Sequence, residues 1–381
     1  MKRYALVITA ILGSVWLTNA QAIPAFARKH QASCSTCHSA WPALNAVGRA
    51  YKENGYRMTR GESNSFMGWD KTVPISGIIK ARPYEESEQG NRTARALHEV
   101  ELLMAGPMAK EFSGFFEIEA EDDAGTFDAA VKTASISYLP MDAANVQVSW
   151  GTATWSDPYD IYSDARKLTR NRPAVIDQHF GEADNRGRLR DSRQNITVYG
   201  RPMPQLYYSV GLSGVAGDNV GSEADLISGR VAFDVTPDLM LGVTGMSGTC
   251  AGGVDISKCA VDRDFSRVAL DFQGGFGPAL FQGSYLKAKD DNTSQVSESN
   301  DAYYIEGRYI FESNGQPTWV PLLRFNNYEK SDGKDSYDEI VASVSYYVTE
   351  NARAFLEYMD LSAPTSANDN KQVTFQFEIA L

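Results

Sequence analysis

The last nine residues, VTFQFEIAL at positions 373–381, decide the class of fold because apolar and polar side chains alternate along them. Every odd position from 373 to 381 is apolar, and three of the four even positions between them are polar (Thr374, Gln376 and Glu378). Successive side chains of a β-strand point to opposite faces. The pattern therefore predicts a strand with one apolar face and one polar face.

The same alternation extends upstream and covers most of the chain from about residue 73. Residues 112–121, 226–235, 303–312 and 339–348 show it most clearly, and turns rich in Gly, Pro, Asn and Asp separate the segments. Short connections alternate with longer ones. Alternating segments of about ten residues, with short turns on one side and long loops on the other, are typical of a membrane-spanning β-barrel.

We therefore predict a mainly β fold over residues 73–381, a transmembrane antiparallel β-barrel of about 16 strands. The alternative is a soluble β-sandwich or β-barrel, because antiparallel sheets in water also alternate. Few soluble sheets sustain so many alternating strands with long loops on one side only. The predicted location is the bacterial outer membrane, with lipid around the barrel. An even number of strands puts both termini on the periplasmic side.

A barrel of this size is wide enough for an aqueous channel, and charged side chains would line it. The residues predicted to face this channel are Glu99, Glu101, Glu117, Glu119, Arg230, Asp234, Arg267, Asp271, Glu306, Arg308, Arg353 and Glu357. The longest connection, residues 154–191, is rich in Asp, Arg and Tyr. A solvated surface loop is the favoured interpretation of it, ahead of a cation-binding loop.

Composition excludes other classes of protein. The chain has 381 residues, of which 43% are hydrophobic and 11% aromatic, and a formal net charge of −12. So many aromatic residues argue against a disordered chain. The acidic balance argues against nucleic acid as a partner. After the N-terminus, no apolar run approaches the ~20 residues of a membrane-spanning helix.

Residues 1–22 have the pattern of a secretory signal peptide. Lys2 and Arg3 precede an apolar stretch at 4–17, and Ala20-Gln21-Ala22 is a small-x-small cleavage site. The apolar stretch is too short for an anchor helix. An exported chain keeps its cysteines oxidised or ligated rather than free.

Cys34-Ser35-Thr36-Cys37-His38 is a C-x-x-C-H motif, the spacing for covalent attachment of c-type haem. Two thiols on about one helical turn each add to a vinyl group, and His38 is then placed as the proximal iron ligand. A redox disulfide would need only the two thiols, and a zinc site would need a second ligand pair nearby. We predict one haem c, held by Cys34, Cys37 and His38.

Residues 23–72 are predicted to form a small α-helical monohaem cytochrome c segment. Trp41-Pro42 is the expected helix start, and Gly55 the expected C-terminal cap. Leu44, Val47, Gly48 and Tyr51 recur at helical spacing, so we expect them to pack against the porphyrin.

The sixth iron ligand has four candidates in the sequence, Met58, Met67, His30 and His98. Met58 is favoured, because a Met at this distance after the motif suits a Met/His cytochrome. An open or water-bound iron is the alternative.

The remaining cysteines, Cys250 and Cys259, lie in a predicted extracellular loop, and we expect a disulfide between them.

The two parts of the chain carry opposite net charges. Residues 23–71 carry seven bases and three acids, a net charge of +4, whereas residues 72–381 carry 27 bases and 45 acids, a net charge of −18. Opposite charge favours docking of the haem segment in or against the lumen.

Around the C-x-x-C-H motif, the sequence resembles the fused monohaem cytochrome–porins. The resemblance rests on Pro24-Ala25-Phe26-Ala27-Arg28, the motif itself, residues 41–49 (WPALNAVGR) and Asn54-Gly55-Tyr56. Trp41 stands where many members have Phe. The best-known members are outer-membrane iron-oxidising cytochromes. The resemblance implies one covalent haem c, a porin of about 16 strands and electron transfer across the outer membrane.

The expected function is therefore an electron conduit across the outer membrane. Its expected partners are an extracellular electron donor or acceptor, with Fe(II) as a candidate donor, and a periplasmic electron-carrier cytochrome. The corresponding activity would be that of an iron:cytochrome c oxidoreductase. The alternative is a solute-conducting porin whose haem segment is a redox-sensitive plug. A peroxidase-like enzyme would need distal acid–base groups, and the sequence offers no such constellation.

Overall fold

The computed structural model describes residues 24–59, 62, 73–90, 92–123, 126–163, 167–181, 185, 187–214, 226–252 and 259–381. The predicted signal peptide and the candidate ligand Met67 lie outside these residues. Two short strands, β1 (His38–Ala40) and β2 (Ala43–Leu44), form a separate hairpin. The other strands close into one antiparallel barrel.

The barrel is built from seventeen β-segments. Two of them, β14 and β15, both pair with β16 and are parts of one interrupted strand. The barrel therefore has sixteen strands. The segments are β3 (Ile75–Ser87), β4 (Thr93–Pro107), β5 (Phe112–Asp123), β6 (Thr126–Met141), β7 (Ala144–Gly151), β8 (Arg193–Met203), β9 (Leu206–Ser213), β10 (Leu226–Thr236), β11 (Leu239–Cys250), β12 (Arg263–Phe276), β13 (Ala279–Asp291), β14 (Ser297–Tyr309), β15 (Phe311–Ser313), β16 (Gln316–Lys330), β17 (Asp335–Thr349), β18 (Ala352–Ser362) and β19 (Asn370–Ala380).

The last strand closes the barrel by pairing with the first. Phe377 of β19 lies opposite Ala81 of β3, and Ile379 lies opposite Ile79. Each strand pairs antiparallel with its neighbours in sequence. The predicted fold class, an antiparallel barrel of about 16 strands, is confirmed.

The two faces of the barrel wall differ as the alternation predicts. On β12, Val268 and Leu270 point outward and are more than half exposed (56% and 58%), whereas Arg267 and Ala269 point inward and are buried. Thr374, Gln376 and Glu378 of β19 are likewise buried inside. A soluble β-sandwich buries its apolar faces and exposes its polar ones. This barrel does the reverse, which is the arrangement of a wall that faces lipid.

The connections differ in length at the two ends. At one end, here called the short-turn end, strands are joined by turns such as residues 142–143, 204–205 and 237–238. Strand β3 begins and β19 finishes at this end, so the barrel starts and finishes on the same side. The opposite end, here called the long-loop end, carries the longer connections. In the described part of the chain, no helix is long and apolar enough to cross a bilayer.

The loop between β7 and β8 corrects the favoured sequence interpretation. It was expected on the surface, yet Asp157, Tyr162 and Ile176 are almost fully buried (1%, 0% and 2% exposed). The loop folds into the lumen and includes a short helix, α3 (Ala174–Asp177). Polar partners on the barrel wall explain this. Arg230 lies 3.0 Å from Asp157, and the Tyr162 hydroxyl donates to the Asp271 carboxylate at 2.8 Å.

The sequence predicted correctly which charges point inward, but most of them do not simply line water. Arg353 binds Glu378 (2.8 Å), and Glu357 accepts hydrogen bonds from the backbone of the β7–β8 loop at Arg170 and Asn171 (2.6 and 2.9 Å). These pairs connect the loop and the wall into a network across the lumen.

Cys250 and Cys259 are joined by a disulfide at the long-loop end.

Two helices precede the barrel, α1 (Ala25–His30) and α2 (Ala46–Glu53). Helix α2 begins at Ala46 and not at Trp41-Pro42, which instead form the tight turn between β1 and β2. The reason is local, because the Asn45 side chain accepts the Gly48 N–H at 3.0 Å and caps the helix there. The prediction for Gly55 is correct. It follows the helix with φ +67°, and the N–H groups of Gly55 and Tyr56 return to Lys52 and Tyr51 in a Schellman motif.

Candidate functional site

Residues 24–59, here called the N-terminal segment, lie in the mouth of the barrel at its short-turn end. The Ala25 N–H donates to the Ser76 hydroxyl (2.8 Å), and the Tyr347 hydroxyl donates to the Trp41 carbonyl (2.7 Å). The Arg57 guanidinium is 2% exposed and donates to backbone carbonyls of the β4–β5 turn, at Ala109 and Phe112. The segment is therefore bound to the wall on several sides of the mouth.

Helix α2 makes the charged contacts to the barrel. Lys52 binds Asp160 of the β7–β8 loop at 2.7 Å, and Glu53 binds Arg201 of β8 at 2.8 Å. Arg201 also pairs with Asp234 of β10 at 2.9 Å. Because the Lys52–Asp160 pair is almost fully buried, its desolvation offsets much of the attraction. These contacts define the position of α2 more than they stabilise it.

The attachment motif is held by the cap of α2. Residues Cys34–Thr36 form one 3-10 turn. The Asn45 amide donates to the carbonyls of Ser35 and Thr36 (3.1 Å each), while its backbone N–H donates to the Cys37 carbonyl (3.0 Å). One residue thus fixes both the start of the helix and the backbone between the two cysteines.

A glycine allows the helix to approach the motif this closely. A Cβ atom at Gly48 would lie 2.1 Å from the Cys37 carbonyl oxygen and 2.8 Å from Leu44. No real side chain tolerates such contact with backbone. Gly48 therefore brings α2 directly against the turn that carries the cysteines.

His38 presents one ring nitrogen as a metal ligand. Its Nδ1 lies 3.0 Å from the Pro42 carbonyl, which can only accept, so Nδ1 carries the proton. In the neutral ring, Nε2 then bears the lone pair. A backbone carbonyl on the far nitrogen is the usual way a ligating histidine is oriented.

Cys34 and Cys37 are half-buried free thiols. Burial, together with the Glu350 carboxylate that accepts the Cys34 backbone N–H, raises the pKa of the Cys34 thiol to about 12. Burial also raises the pKa of Cys37. Reactive cysteines of redox enzymes have lowered pKa values. This pair therefore lacks the lowered pKa of a thiol catalyst.

Both thiols and His38 line a mostly apolar cavity, here called the motif cavity. The cavity has about 1320 Å³ of space not filled by protein atoms, including its open mouth. Its apolar walls come from the segment and the barrel together and include Phe26, Leu44, Tyr51, Tyr56, Leu103, Ala105, Phe115 and Trp155.

The donor set and the walls of the motif cavity fit a haem c. Two thiols and an imidazole nitrogen occur at the required spacing, and a mostly apolar cavity adjoins them. The aromatic walls are packed before any ligand is considered, since Phe26 stacks on Tyr56 at 5.7 Å and Phe115 contacts Trp155 at 5.0 Å. The prediction of haem at these residues stays a prediction.

The candidates for a sixth ligand are separated by position. Met58 and His30 both line the motif cavity. The Met58 backbone N–H donates to Glu62 at 2.6 Å, and the His30 Nε2 lies 3.1 Å from the Tyr51 hydroxyl. His98 lies inside the barrel on β4, away from the motif cavity, where its Nδ1 accepts from Arg95 at 3.4 Å. Met58 and His30 are thus the candidates with the right location.

The predicted apolar stripe is partly wrong. Leu44, Gly48 and Tyr51 do line the motif cavity, but Val47 does not and is 46% exposed. Gly48 and Tyr51 share one face of α2, whereas Val47 lies at the edge of that face and turns to solvent; Leu44 precedes the helix, on β2.

A second, polar space continues from the motif cavity toward the long-loop end, and we call it the lumen channel. It contains about 1600 Å³ of space not filled by protein atoms, including open solvent. It shares Trp41, Glu101, Glu117 and Trp155 with the motif cavity. The carboxylates Glu99, Glu101, Glu117 and Glu119 of its wall were predicted, whereas Lys80 and Arg82 of β3 were not. Arg170 was missed because its loop was expected on the surface.

Comparison with known proteins supports the barrel. No family model matches the chain, and no curated protein matches it. Among solved structures, the chain is similar to an anion-selective porin from Comamonas acidovorans, with a TM-score of 0.61, 13% identity, and 81% of this chain and 99% of that chain covered.

Two other porins give similar values. A loop-deletion mutant of OmpT, an outer-membrane protein of Vibrio cholerae, has a TM-score of 0.59 and 15% identity, with 81% and 99% of the two chains covered. Salmonella typhi OmpF in complex with daunomycin has a TM-score of 0.57 and 11% identity, with 81% and 97% covered. At these identities, the likeness establishes a porin-like fold.

Proposed function

We propose that this protein is an outer-membrane monohaem c-type cytochrome–porin that carries electrons across the outer membrane. Its partners would be an extracellular electron donor or acceptor and a periplasmic electron-carrier cytochrome. One observation carries the proposal: Cys34, Cys37 and His38 line an apolar cavity within the mouth of a porin-like barrel. A C-x-x-C-H motif in an unrelated surface turn would have no such cavity beside it.

Four residues would hold the cofactor in this proposal. Cys34 and Cys37 would attach it through thioether bonds, His38 would bind the iron, and Met58, which lines the same cavity, is the favoured further iron ligand. When bound, a haem supplies one-electron transfer between the ferric and ferrous states. The chain's own residues position and shield the site. Asn45 holds the attachment turn, Pro42 orients His38, and the aromatic walls exclude water.

Access to the site from two directions supports a conduit. The N-terminal segment lies at the short-turn end, which in porins is the periplasmic side. The lumen channel meets the motif cavity from the opposite direction, sharing Glu101 and Glu117 with it. A soluble donor could thus approach from outside the cell while a carrier protein approaches from the periplasm. The barrel then acts as a holder that places one redox centre within reach of both.

Mass and visible spectra of the exported protein test the cofactor. The chain is produced in cells that mature c-type cytochromes, and the pair C34A/C37A is compared with the matched pair C250S/C259S. We expect the mass of one haem on wild type and on C250S/C259S, and none on C34A/C37A. Wild-type protein without added mass would refute the cofactor assignment.

Transport of electrons needs a separate test in liposomes that enclose a periplasmic cytochrome as acceptor. External Fe(II), and then an organic reductant, is added to vesicles with and without the protein. Reduction of the enclosed acceptor only in protein-containing vesicles is the expected result. A stopped-flow measurement with Fe(II) and a redox titration identify the donor and the potential. Protein with haem that passes no electron to the acceptor contradicts the conduit.

The second candidate function is a solute porin whose N-terminal segment is a redox-sensitive plug. The lumen channel favours it, because a polar space of about 1600 Å³, including open solvent, is lined by charged side chains that suit small hydrophilic solutes. An electron conduit would not need such an open space. Single-channel conductance, recorded in oxidising and then reducing buffer, separates the two. Conductance that changes with the redox state supports the plug, and closed channels in both states exclude it.

A further inference from the structure

Three arginines meet in the part of the lumen channel nearer the long-loop end. Arg82 of β3 and Arg170 of the β7–β8 loop both approach the same Glu85 oxygen, at 3.4 and 3.0 Å. Arg95 of β4 lies directly opposite Arg82 in the strand pairing. All three side chains line the channel, and Arg82 is 6% exposed.

Positive charge exceeds negative charge at this place. Arg82 and Arg170 share one carboxylate, while Arg95 lies 3.7 Å from Asp122, which is itself partly exposed. Arg82 also donates to the neutral Gln376 at 2.8 Å. Each guanidinium has five N–H donors in a planar fork that suits two oxygen atoms at once. A cluster of this kind, opening onto water, retains donors and charge for a further acceptor.

The neighbouring histidine adds no compensating negative charge. The His98 Nδ1 accepts a hydrogen bond from Arg95 at 3.4 Å, so this nitrogen carries no proton and the ring is neutral, with its Nε2–H directed to Glu121 at 3.5 Å. The imidazole therefore separates the arginines from the next carboxylate along the wall without cancelling their charge.

Charges are sorted along the channel. The motif cavity ends at Glu101 of β4 and Glu117 of β5, which line both spaces; in the strand pairing Glu101 lies opposite Glu119, and Glu117 lies opposite Leu103. Next comes Lys80, which bridges Glu99 and Glu101. Arg82 follows two residues further along β3, toward the long-loop end. A solute entering from that end thus meets three arginines with Glu85 before it meets Glu99, Glu101 and Glu117, and this excess of positive charge selects for negative charge at the entrance.

We propose that Arg82, Arg95 and Arg170 form a binding site for a small multivalent oxyanion, bearing carboxylate or phosphate groups, at the entrance of the lumen channel. Bidentate hydrogen bonds to planar oxygens are the favoured use of such guanidinium groups. The site is independent of the haem, since none of its residues lines the motif cavity. It specifies the solutes that the channel admits, and it makes a bare hydrated cation the least favoured of them.

Titration calorimetry on the purified full-length protein in detergent, at low ionic strength, tests the site with citrate and with inorganic phosphate. The variants are R95Q and R95Q/R170Q, which leave the Arg82–Glu85 pair in place. R92Q is the matched control, because Arg92 is exposed at the β3–β4 hairpin and packs on Tyr84. We expect at least tenfold weaker binding in the double variant, an intermediate loss in R95Q and wild-type binding in R92Q.

Both ligands have an informative outcome. Binding of citrate alone assigns a carboxylate ligand, binding of phosphate alone assigns a phosphate ligand, and either result supports the site. Absence of binding by both, or equal binding by wild type and double variant, overturns it. Because the double variant could fold poorly, reversal potentials of wild type and R95Q in a potassium chloride gradient provide a second measurement. A preference for chloride that falls in R95Q supports the proposal, and a preference for potassium in wild type refutes it.

Discussion

Replacing Gly48 by alanine should separate helix α2 from the attachment turn. The added Cβ would lie 2.1 Å from the Cys37 carbonyl oxygen, about 1.3 Å inside the 3.4 Å of ordinary contact. Two effects oppose each other. Alanine in a helix interior is favoured over glycine by ~1 kcal/mol. Overpacking costs ~1–3 kcal/mol, and here the obstacle is backbone that the Asn45 hydrogen bonds hold in place. We expect the clash to outweigh the helix propensity.

The assay is denaturant unfolding of the N-terminal segment, followed by visible absorbance in protein that carries haem and by tryptophan fluorescence in protein that does not. A net loss of about 1–2 kcal/mol corresponds to roughly a 5- to 30-fold change in the unfolding equilibrium. Gly245→Ala is the control, because a Cβ at Gly245 would meet nothing within 4 Å. A Gly48→Ala protein that is more stable than wild type would show that α2 does not pack on Cys37 as described.

Three further predictions follow from contacts of the N-terminal segment. Asn45→Ala should lower the stability of the segment by ~1–3 kcal/mol and Asn45→Asp by less, because aspartate keeps the helix cap but loses the amide donors; denaturant titration of both checks this. Arg201→Met should leave Glu53 without its 2.8 Å partner, weaken docking by roughly 1–3 kcal/mol and raise single-channel conductance, whereas unchanged conductance would contradict docking through this pair. In reduced protein without haem, alkylation of Cys34 at pH 8 should be slow, because its raised pKa keeps the thiol protonated. Glu350→Gln should speed this alkylation severalfold. Equal alkylation rates in wild type and variant would show that Glu350 does not raise the pKa of Cys34.

The barrel could be predicted from sequence because its signal is local. In residues 373–381 and in residues 112–121, apolar and polar side chains alternate with a period of two. The polarity of each side chain therefore indicates whether it faces the lipid outside or the polar interior. Strand pairing then follows from chain order, since each strand pairs with the next. The same pattern identified the inward charges. It could not show which of them meet each other, because that depends on the curvature of the closed wall.

The β7–β8 loop could not be predicted for the opposite reason. Asp157 is an ordinary loop acid by sequence, and its partner Arg230 lies 73 positions away on β10, at 3.0 Å. Only the closed barrel brings the two together. A surface loop and an inward-folded loop of this composition are therefore indistinguishable without the wall opposite.

The candidate site could be predicted from the sequence only in part. The C-x-x-C-H spacing predicted its donors from five consecutive residues, and the structure brings them to one cavity. The walls that complete the cavity come from Phe115 on β5 and Trp155 in the β7–β8 loop, which have no signal in the motif. Val47 was assigned to the wrong side because a period of 3.6 leaves edge positions ambiguous, and the Asn45 cap settles the rotation.

Docking of the N-terminal segment inside the mouth has a consequence for biogenesis. The seam where β3 meets β19 lies beside this segment, since Ala25 binds Ser76 and Gly77 pairs with Leu381. Once the seam is sealed, Cys34 and Cys37 lie half-buried in the mouth of the barrel beside it. If haem is attached at these residues as proposed, we expect its attachment to precede closure of the barrel and insertion into the bilayer.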